Sequence, residues 1–294
     1  MSIKNHQSIW ACPVCKLPLI KPTSSNENKS KHWLCLNKHS YDISKESYIN
    51  LLLPHQKRSS LPGDTKHMVT SRQKFLAEGY YDLLAKKIIS LIDKQIGTDS
   101  VVLDCGCGDG YYLRKFLTEK ITGHIFGIDI SKEAAKIASR QTKDGDFAVA
   151  SNFDLPILSD SVDCILRIFA PGSDIEVARI LKDTGILITV SPGGKHLWSL
   201  KKLLYQEARE HTQSENSTNL SLVKEERLSY QIQINNPQKI NELVSMTPLC
   251  WRTNKKYQAE LKEAESLNTE VDFIIRVYHP NKNDAWTNAS IKSK

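Results

Sequence analysis

A chain of 294 residues is long for one core and short for two large ones, so one large domain with a small satellite is expected. Hydrophobic content of 40% and charged content of 25% exclude a disordered or fibrous chain. No apolar run approaches the roughly 18 residues of a membrane span, and the opening MSIKNHQSIWACPVC has no basic stretch leading into an apolar one, so a cytoplasmic chain without a signal peptide is predicted. The net charge of +7 is unevenly placed: residues 1–95 hold 15 Lys and Arg against 7 Asp and Glu, leaving 25 against 26 for the remainder. That bias fits either a solvated face or a polyanionic partner.

Seven cysteines are an odd set, and in a cytoplasmic chain they point to thiols or metal ligands before disulfides. Cys12-Pro13-Val14-Cys15 can bend around one ion, and Cys35 with His39 supplies a second pair. Three thiolates and one imidazole suit a tetrahedral Zn²⁺, which is structural because no position is left open for water. His32 competes with His39, but it precedes an expected strand at Trp33-Leu34, and His39 is the preferred ligand. The intervening KLPLIKPTSSNENKSKHWL is polar, so the module is expected to need its metal to fold.

HSYDISKESYINLLL reads as extended, and the Pro-, Gly- and Ser-rich loop from His55 to Asp64 follows it. Its adjacent Lys57 and Arg58 are candidate phosphate contacts. TSRQKFLAEGYYDLLAKKIISLIDKQIG predicts a helix interrupted near Gly79, with an apolar stripe of Phe75, Leu76, Leu83, Leu84, Ile88, Leu91 and Ile92. The expected domains are therefore 1–53, a ribbon; 54–98, a basic loop and joint helix; and 99–294, a larger α/β domain.

In that larger domain, Val101-Val102-Leu103-Asp104 runs into Cys105-Gly106-Cys107-Gly108-Asp109-Gly110, an apolar strand ending in an acid and a glycine turn. Glycines let backbone turn tightly and approach a ligand closely, and the carboxylates of Asp104 and Asp109 suit a ligand bearing an amino group. The next strand, His124 to Asp129, ends in an acid placed to accept from both ribose hydroxyls. A third, Phe147 to Ala150, ends in Ser151-Asn152, a polar pair placed for adenine. A strand from Val162 to Ile168, a helix from Ile175 to Leu181 and a strand from Gly185 to Val190 complete the alternation that builds a doubly wound, mostly parallel sheet.

This arrangement resembles the Rossmann-like class I S-adenosylmethionine methyltransferases, for which the sheet has seven strands. The resemblance assigns Gly106, Gly108 and Asp109 to the methionine moiety, Asp129 to the ribose, and Ser151 with Asn152 to the adenine. An NAD-binding Rossmann domain fits less well, because the turn lacks G-x-G-x-x-G. More narrowly, six stretches resemble the bacterial 23S rRNA guanine-N1-methyltransferases of the RlmA type. They are C-P-x-C…C-x3-H; Tyr48-Ile49-Asn50-Leu51-Leu52; Lys57-Arg58-Ser59…Pro62-Gly63-Asp64; Phe75-Leu76-x-x-Gly79-x-Tyr81; Leu166 to Pro171; and SPGGKHLWSLKKLLY. Met246-Thr247-Pro248-x-x-Trp251-Arg252 extends the match.

The resemblance implies methyl transfer to N1 of a guanine in a hairpin loop of 23S rRNA. It also implies a structural zinc, cofactor contacts from Tyr81 and His196, a possible homodimer and, in some members, macrolide resistance. Because guanine N1 carries a proton at neutral pH, a general base near the methyl group is expected. His196 is a candidate for it, and Phe169 is a candidate for stacking on the flipped guanine. Two other classes compete: a non-catalytic RNA-binding assembly factor, and a small-molecule methyltransferase. The glycine turn argues against the first and the N-terminal charge against the second.

Overall fold

A computed structural model describes residues 8–21, 32–57, 59, 62–119, 123–204, 218–247 and 264–282. Strands covered on both faces read as near-continuous apolar runs, and four such runs form the centre of the large sheet: β4 (Ser100–Cys105), β5 (Gly123–Asp129), β6 (Gly145–Val149) and β7 (Val162–Ile168). They pair in parallel, with Leu103 opposite both Phe126 and Ile165. Helices α3 (Tyr111–Thr118), α4 (Lys132–Gln141) and α5 (Asp174–Ile180) make the crossovers. Ser131 and Ser173 cap the last two, each accepting from an amide of the first turn. β8 (Leu181–Pro192) continues the parallel order, and the long β9 (Leu220–Ile234) and β10 (Leu267–Pro280) close the sheet antiparallel.

The sheet order is β3-β6-β5-β4-β7-β8-β10-β9. It is doubly wound and mostly parallel as expected, but among the described residues it has eight strands where seven were expected. The added edge is β3 (Tyr48–Asn50), from the end of the N-terminal ribbon, which pairs in parallel with β6 through Ile49 opposite Ala148. Tyr48 and Ile49 are both buried, so the junction between ribbon and sheet is itself a piece of sheet.

Ahead of β3, the strands β1 (His32–Leu34) and β2 (Ser40–Asp42) form a small antiparallel hairpin with Trp33 opposite Tyr41. The expectation of a module with little to bury needs correction. Ile9, Trp10, Leu19 and Trp33 join one apolar cluster with Phe126, Ile128, Leu155 and Ile157 of the larger domain. Trp10 meets Phe126 edge-on, with centroids 5.6 Å apart. Asp154 accepts from Lys16 at 2.5 Å and from Gln56 at 2.7 Å, tying ribbon and loop to the turn after β6.

The predicted joint helix is two helices, α1 (Lys66–Ala77) and α2 (Asp82–Asp93), broken at Gly79, whose φ of 80° is the left-handed turn glycine permits. α1 starts earlier than predicted, because Thr65 caps it by accepting from Met68 N. Of the predicted stripe only Leu83 faces solvent, at 52% exposure; the other six residues are buried. Among the described residues the remaining helices are α6 (Trp198–Leu204) and α7 (Pro237–Ser245), the latter packed beside α1. No helix among the described residues is long and apolar enough to cross a membrane.

Candidate functional site: a cysteine cluster and a glycine turn

Cys12 and Cys15 lie on a tight turn closed by Lys16 N to Cys12 O at 2.8 Å, and Cys35 and His39 bracket the turn between β1 and β2. Their donor atoms all fall within 4.8 Å of one another. Cys12 Sγ is 3.5 Å from His39 Nδ1, Cys35 Sγ is 3.4 Å from it, and Cys15 Sγ is 3.6 Å from Cys35 Sγ. A zinc tetrahedron with bonds of about 2.0–2.3 Å has edges of roughly 3.4–3.8 Å, so this set fits one Zn²⁺ with no position left over. Burial pushes the Cys12 thiol up, but the Tyr41 hydroxyl and the amides of Cys15 and Val14 outweigh it and bring the group to about 6. Tyr41 Oη sits 3.1 Å from Cys12 Sγ, the kind of outer partner that orients a metal-binding thiolate. His32 lies in β1, and its place in the hairpin gives no reason to exchange it for His39.

The glycine turn joins β4 to α3. Gly106 (φ 85°) and Gly108 (φ 56°) take the left-handed conformation, and a Cβ on Gly106 would come within 2.5 Å of the Ala170 Cβ. Only glycine lets the Ala170-Pro171 loop close over the turn. Asp129, at the end of β5, accepts from Gly108 N at 3.0 Å and Ser131 N at 2.8 Å, so it stiffens the turn while each oxygen keeps a second lone pair. Burial pushes its carboxyl up, and those two amides oppose the push.

Asp104 is different. It is buried, and neither of its oxygens has a hydrogen-bond partner among the described residues. Burial first, and the charges of Asp129 and Asp109 second, push its carboxyl up to about 8. A carboxyl left bare beside a glycine turn fits a cationic amino group, which is what the methionine end of S-adenosylmethionine presents. Asp109 is already engaged: Arg114 Nη2 donates to its carboxylate at 2.6 Å.

Ser151 and Asn152 follow β6 as expected. Asn152 Nδ2 donates to Pro171 O at 3.1 Å, while its Oδ1 is buried and unpartnered among the described residues. Ser151 helps line a cleft of about 470 Å³ together with Ile130, Phe153, His55, Gln56 and Gly63. The cleft therefore lies between the ends of β5 and β6 and the basic loop. Lys57 is exposed in that loop, whereas Arg58 lies outside the described residues.

Tyr81, His196, Phe169 and Phe273 form an aromatic cluster. His196 is 5.0 Å from Phe273, 5.7 Å from Phe169 and 6.3 Å from Tyr81, centroid to centroid. Phe169 keeps a left-handed backbone (φ 54°) unusual for a bulky residue, and its side chain is 43% exposed. His196 Nδ1 accepts from Asp272 N at 3.2 Å. In the neutral ring that places the proton on Nε2, and the Nδ1 lone pair is taken by the Asp272 amide.

Arg72 was passed over in the sequence, where its helix reads only as a packing joint. Its guanidinium lies over the turn, 3.8 Å from where a Gly108 Cβ would stand. It donates to the Asp64 carboxylate and, at 2.9 Å, to Met246 O. A cation placed by tertiary structure leaves no trace in motif spacing.

Comparison with known proteins agrees with both halves. The sequence profile described as "RlmA, N-terminal" matches residues 10–60, and one described as "Methyltransferase domain" matches residues 102–185. YxjB of Bacillus subtilis, provisionally named a 23S rRNA (guanine-N(1)-)-methyltransferase, is 30% identical over 283 residues, covering 92% of this chain and 96% of that protein. The 23S rRNA (guanine(748)-N(1))-methyltransferase of Streptomyces fradiae is 28% identical over 92% of this chain and 98% of its own length. With a cysteine–histidine set that fits zinc, a turn that fits S-adenosylmethionine, and this likeness over nearly the whole length, the chain belongs to the family of S-adenosylmethionine-dependent 23S rRNA (guanine-N1)-methyltransferases with an N-terminal zinc ribbon.

Proposed function

We propose that this chain methylates N1 of a guanine in a hairpin loop of 23S rRNA or its large-subunit precursor, acting in the cytoplasm. S-adenosylmethionine supplies an electrophilic methyl group. In this reading Asp104 holds the cofactor's ammonium, Asp129 the ribose hydroxyls, and Ser151 with Asn152 the adenine, while Gly106 and Gly108 expose backbone to the methionine chain. Tyr81 and His196 bound the methyl end, where His196 acts as an Nε2–H donor. Phe169 presents a ring on which a splayed base stacks. Cys12, Cys15, Cys35 and His39 hold the zinc, and Lys57 and Arg58 meet phosphates. Pairing of two copies belongs to the same proposal.

The observation that carries this reading is the shared edge. The zinc ribbon enters the sheet through β3 beside β6, and Ser151, two residues past the end of β6, helps line the cleft. A module that grips RNA there delivers a loop base to the strand ends where the cofactor lies. Mass-spectrometric mapping of 23S rRNA from cells with and without the gene tests it, repeated in vitro with purified protein. One guanine should lose its N1-methyl in the deletion and regain it with the protein. An unchanged methylation map, with no transfer in vitro, rejects the proposal.

A further inference from the structure

Charge at the glycine turn is unbalanced for the cofactor it fits. The methionine end of S-adenosylmethionine is a zwitterion, with an ammonium and a carboxylate on one carbon. Three aspartates stand around the turn, and they suit only the ammonium. Asp109 is spent on Arg114, Asp129 is tied to the amides of Gly108 and Ser131, and Asp104 is bare. A carboxylate brought among these groups needs a cation close by, since burying it unpaired is costly.

Arg72 is placed to be that cation. It reaches across from α1 rather than from the sheet, with Nη1 3.8 Å and Cδ 4.0 Å from the position of a Gly108 Cβ. Its charge is felt at both Asp129 and Tyr81. Asp64 and the Met246 carbonyl hold the guanidinium from two directions, so its position is set before any ligand arrives. These two partners take one N–H from each terminal nitrogen, and a guanidinium has five. Donors remain for an anion on the turn side.

We infer that Arg72 is the receptor for the cofactor's α-carboxylate, so that α1 completes a methionine subsite the sheet domain builds only in part. The inference rests on placing S-adenosylmethionine at the glycine turn. It also gives Asp64, at the end of the basic loop, a mechanical connection to the cofactor: the residue that holds Arg72 also offers its carbonyl to Ser131 Oγ at 2.7 Å.

The test is calorimetric and needs no RNA. S-adenosylmethionine and its decarboxylated analogue differ in the carboxylate alone, so the ratio of their affinities isolates the subsite. The wild-type protein should prefer S-adenosylmethionine by about tenfold or more, the worth of a charge-assisted hydrogen bond. Arg72→Met should bring the ratio near one by weakening S-adenosylmethionine and sparing the analogue. Arg72→Lys, which keeps the charge and packs more safely should the Met variant fold poorly, should give an intermediate ratio. A wild-type ratio near one, or a ratio unchanged in folded Arg72→Met or Arg72→Lys, overturns the inference while leaving the cofactor site standing. Failure of wild-type protein to bind either compound would instead remove the cofactor site itself, and the inference with it.

Discussion

The two binding sites solve opposite electrostatic problems. In the ribbon, four donor atoms are already packed to the spacing of a metal tetrahedron, and three of them become anionic thiolates. Such a cluster is repulsive until an ion sits in it, so metal binding and local folding are one event. At the glycine turn the acidic groups are instead spread out and individually restrained by amides, by Arg114, or by burial as a neutral acid. That site is stable without its ligand and waits for it. The ribbon leans on its ion, whereas the sheet domain leans on a core that runs through Phe75, Leu84, Phe116 and Phe273. One chain therefore carries a site that makes structure and a site that structure makes.

The sharpest way to break that contrast is Cys35→Ala. Structural zinc is worth on the order of 10–16 kcal/mol in small modules, and the variant should fall from one zinc per chain to almost none by elemental analysis. The fold adds a qualification: Trp10 and Leu19 are packed against Phe126 and Ile157, so losing the ion should also open one flank of the sheet. Limited proteolysis should therefore cut within residues 9–52, and the thermal midpoint of the sheet domain should drop without its cooperative transition vanishing. Full retention of zinc would mean that the ligands are wrongly chosen.

Asp129→Ala probes the other kind of site, and a smaller loss is expected. The variant removes the proposed ribose acceptor and also frees Gly108 N and Ser131 N. At roughly 1.5–3 kcal/mol for hydrogen bonds to a charged group, S-adenosylmethionine affinity should fall tenfold or more by calorimetry while the fold survives. Affinity within twofold of wild type would place the ribose elsewhere.

Asp104 sharpens the contrast through pH. Its folded value is raised to about 8 from a usual value of about 4. Between those values the native state holds a proton that the unfolded chain has released, so stability falls as pH rises through this window. The penalty is absent below about pH 4 and complete above about 8. Asp104→Asn should flatten this dependence in thermal unfolding scans from pH 5 to 8.5. An ammonium placed against Asp104 favours its charged form, so cofactor binding at pH 7 should release a fraction of a proton. Calorimetry in buffers of different ionisation enthalpy reads that release, and identical apparent heats in all buffers would count against the pairing.

Much of this was legible in the chain because it is local. Val101 to Gly110 is a strand and turn by composition alone, and Cys12, Cys15, Cys35 and His39 meet as their intervals require. What escaped is what tertiary structure decides. Arg72 sits in an ordinary amphipathic helix, and only the fold carries it over Gly108. Tyr48–Asn50 is as extended as expected, yet nothing in three residues announces that they extend the large sheet by one strand. The tautomer of His196 depends on an amide 76 positions away, at Asp272. β9 and β10 give no comparable motif; the sequence argument reaches them only through the seven-stranded sheet that the family resemblance implies, and their long antiparallel pairing is seen only in the fold.

The mildest test asks whether the positive charge of the N-terminal third is a contact or only a solvated face. Lys57 is exposed in the loop that lines the cleft with His55, Gln56 and Gly63, so it stands at the border of the two sites. If it meets a phosphate, Lys57→Glu should lower the slope of log affinity against log salt by somewhat under one unit, because one fewer counterion is released. The change should be similar for fragments of any loop sequence, since a phosphate contact carries no base information. S-adenosylmethionine affinity should stay put, because a surface charge is screened within about 10 Å at ordinary ionic strength. Filter binding of an rRNA hairpin across a salt series, beside cofactor calorimetry, reads both quantities. An unchanged slope would return Lys57 to the solvated face, and the ribbon's grip on RNA would have to come from elsewhere in residues 1–95. A change in cofactor affinity instead would show that the loop closes on the cleft directly, joining the two sites more tightly than their separate electrostatics imply.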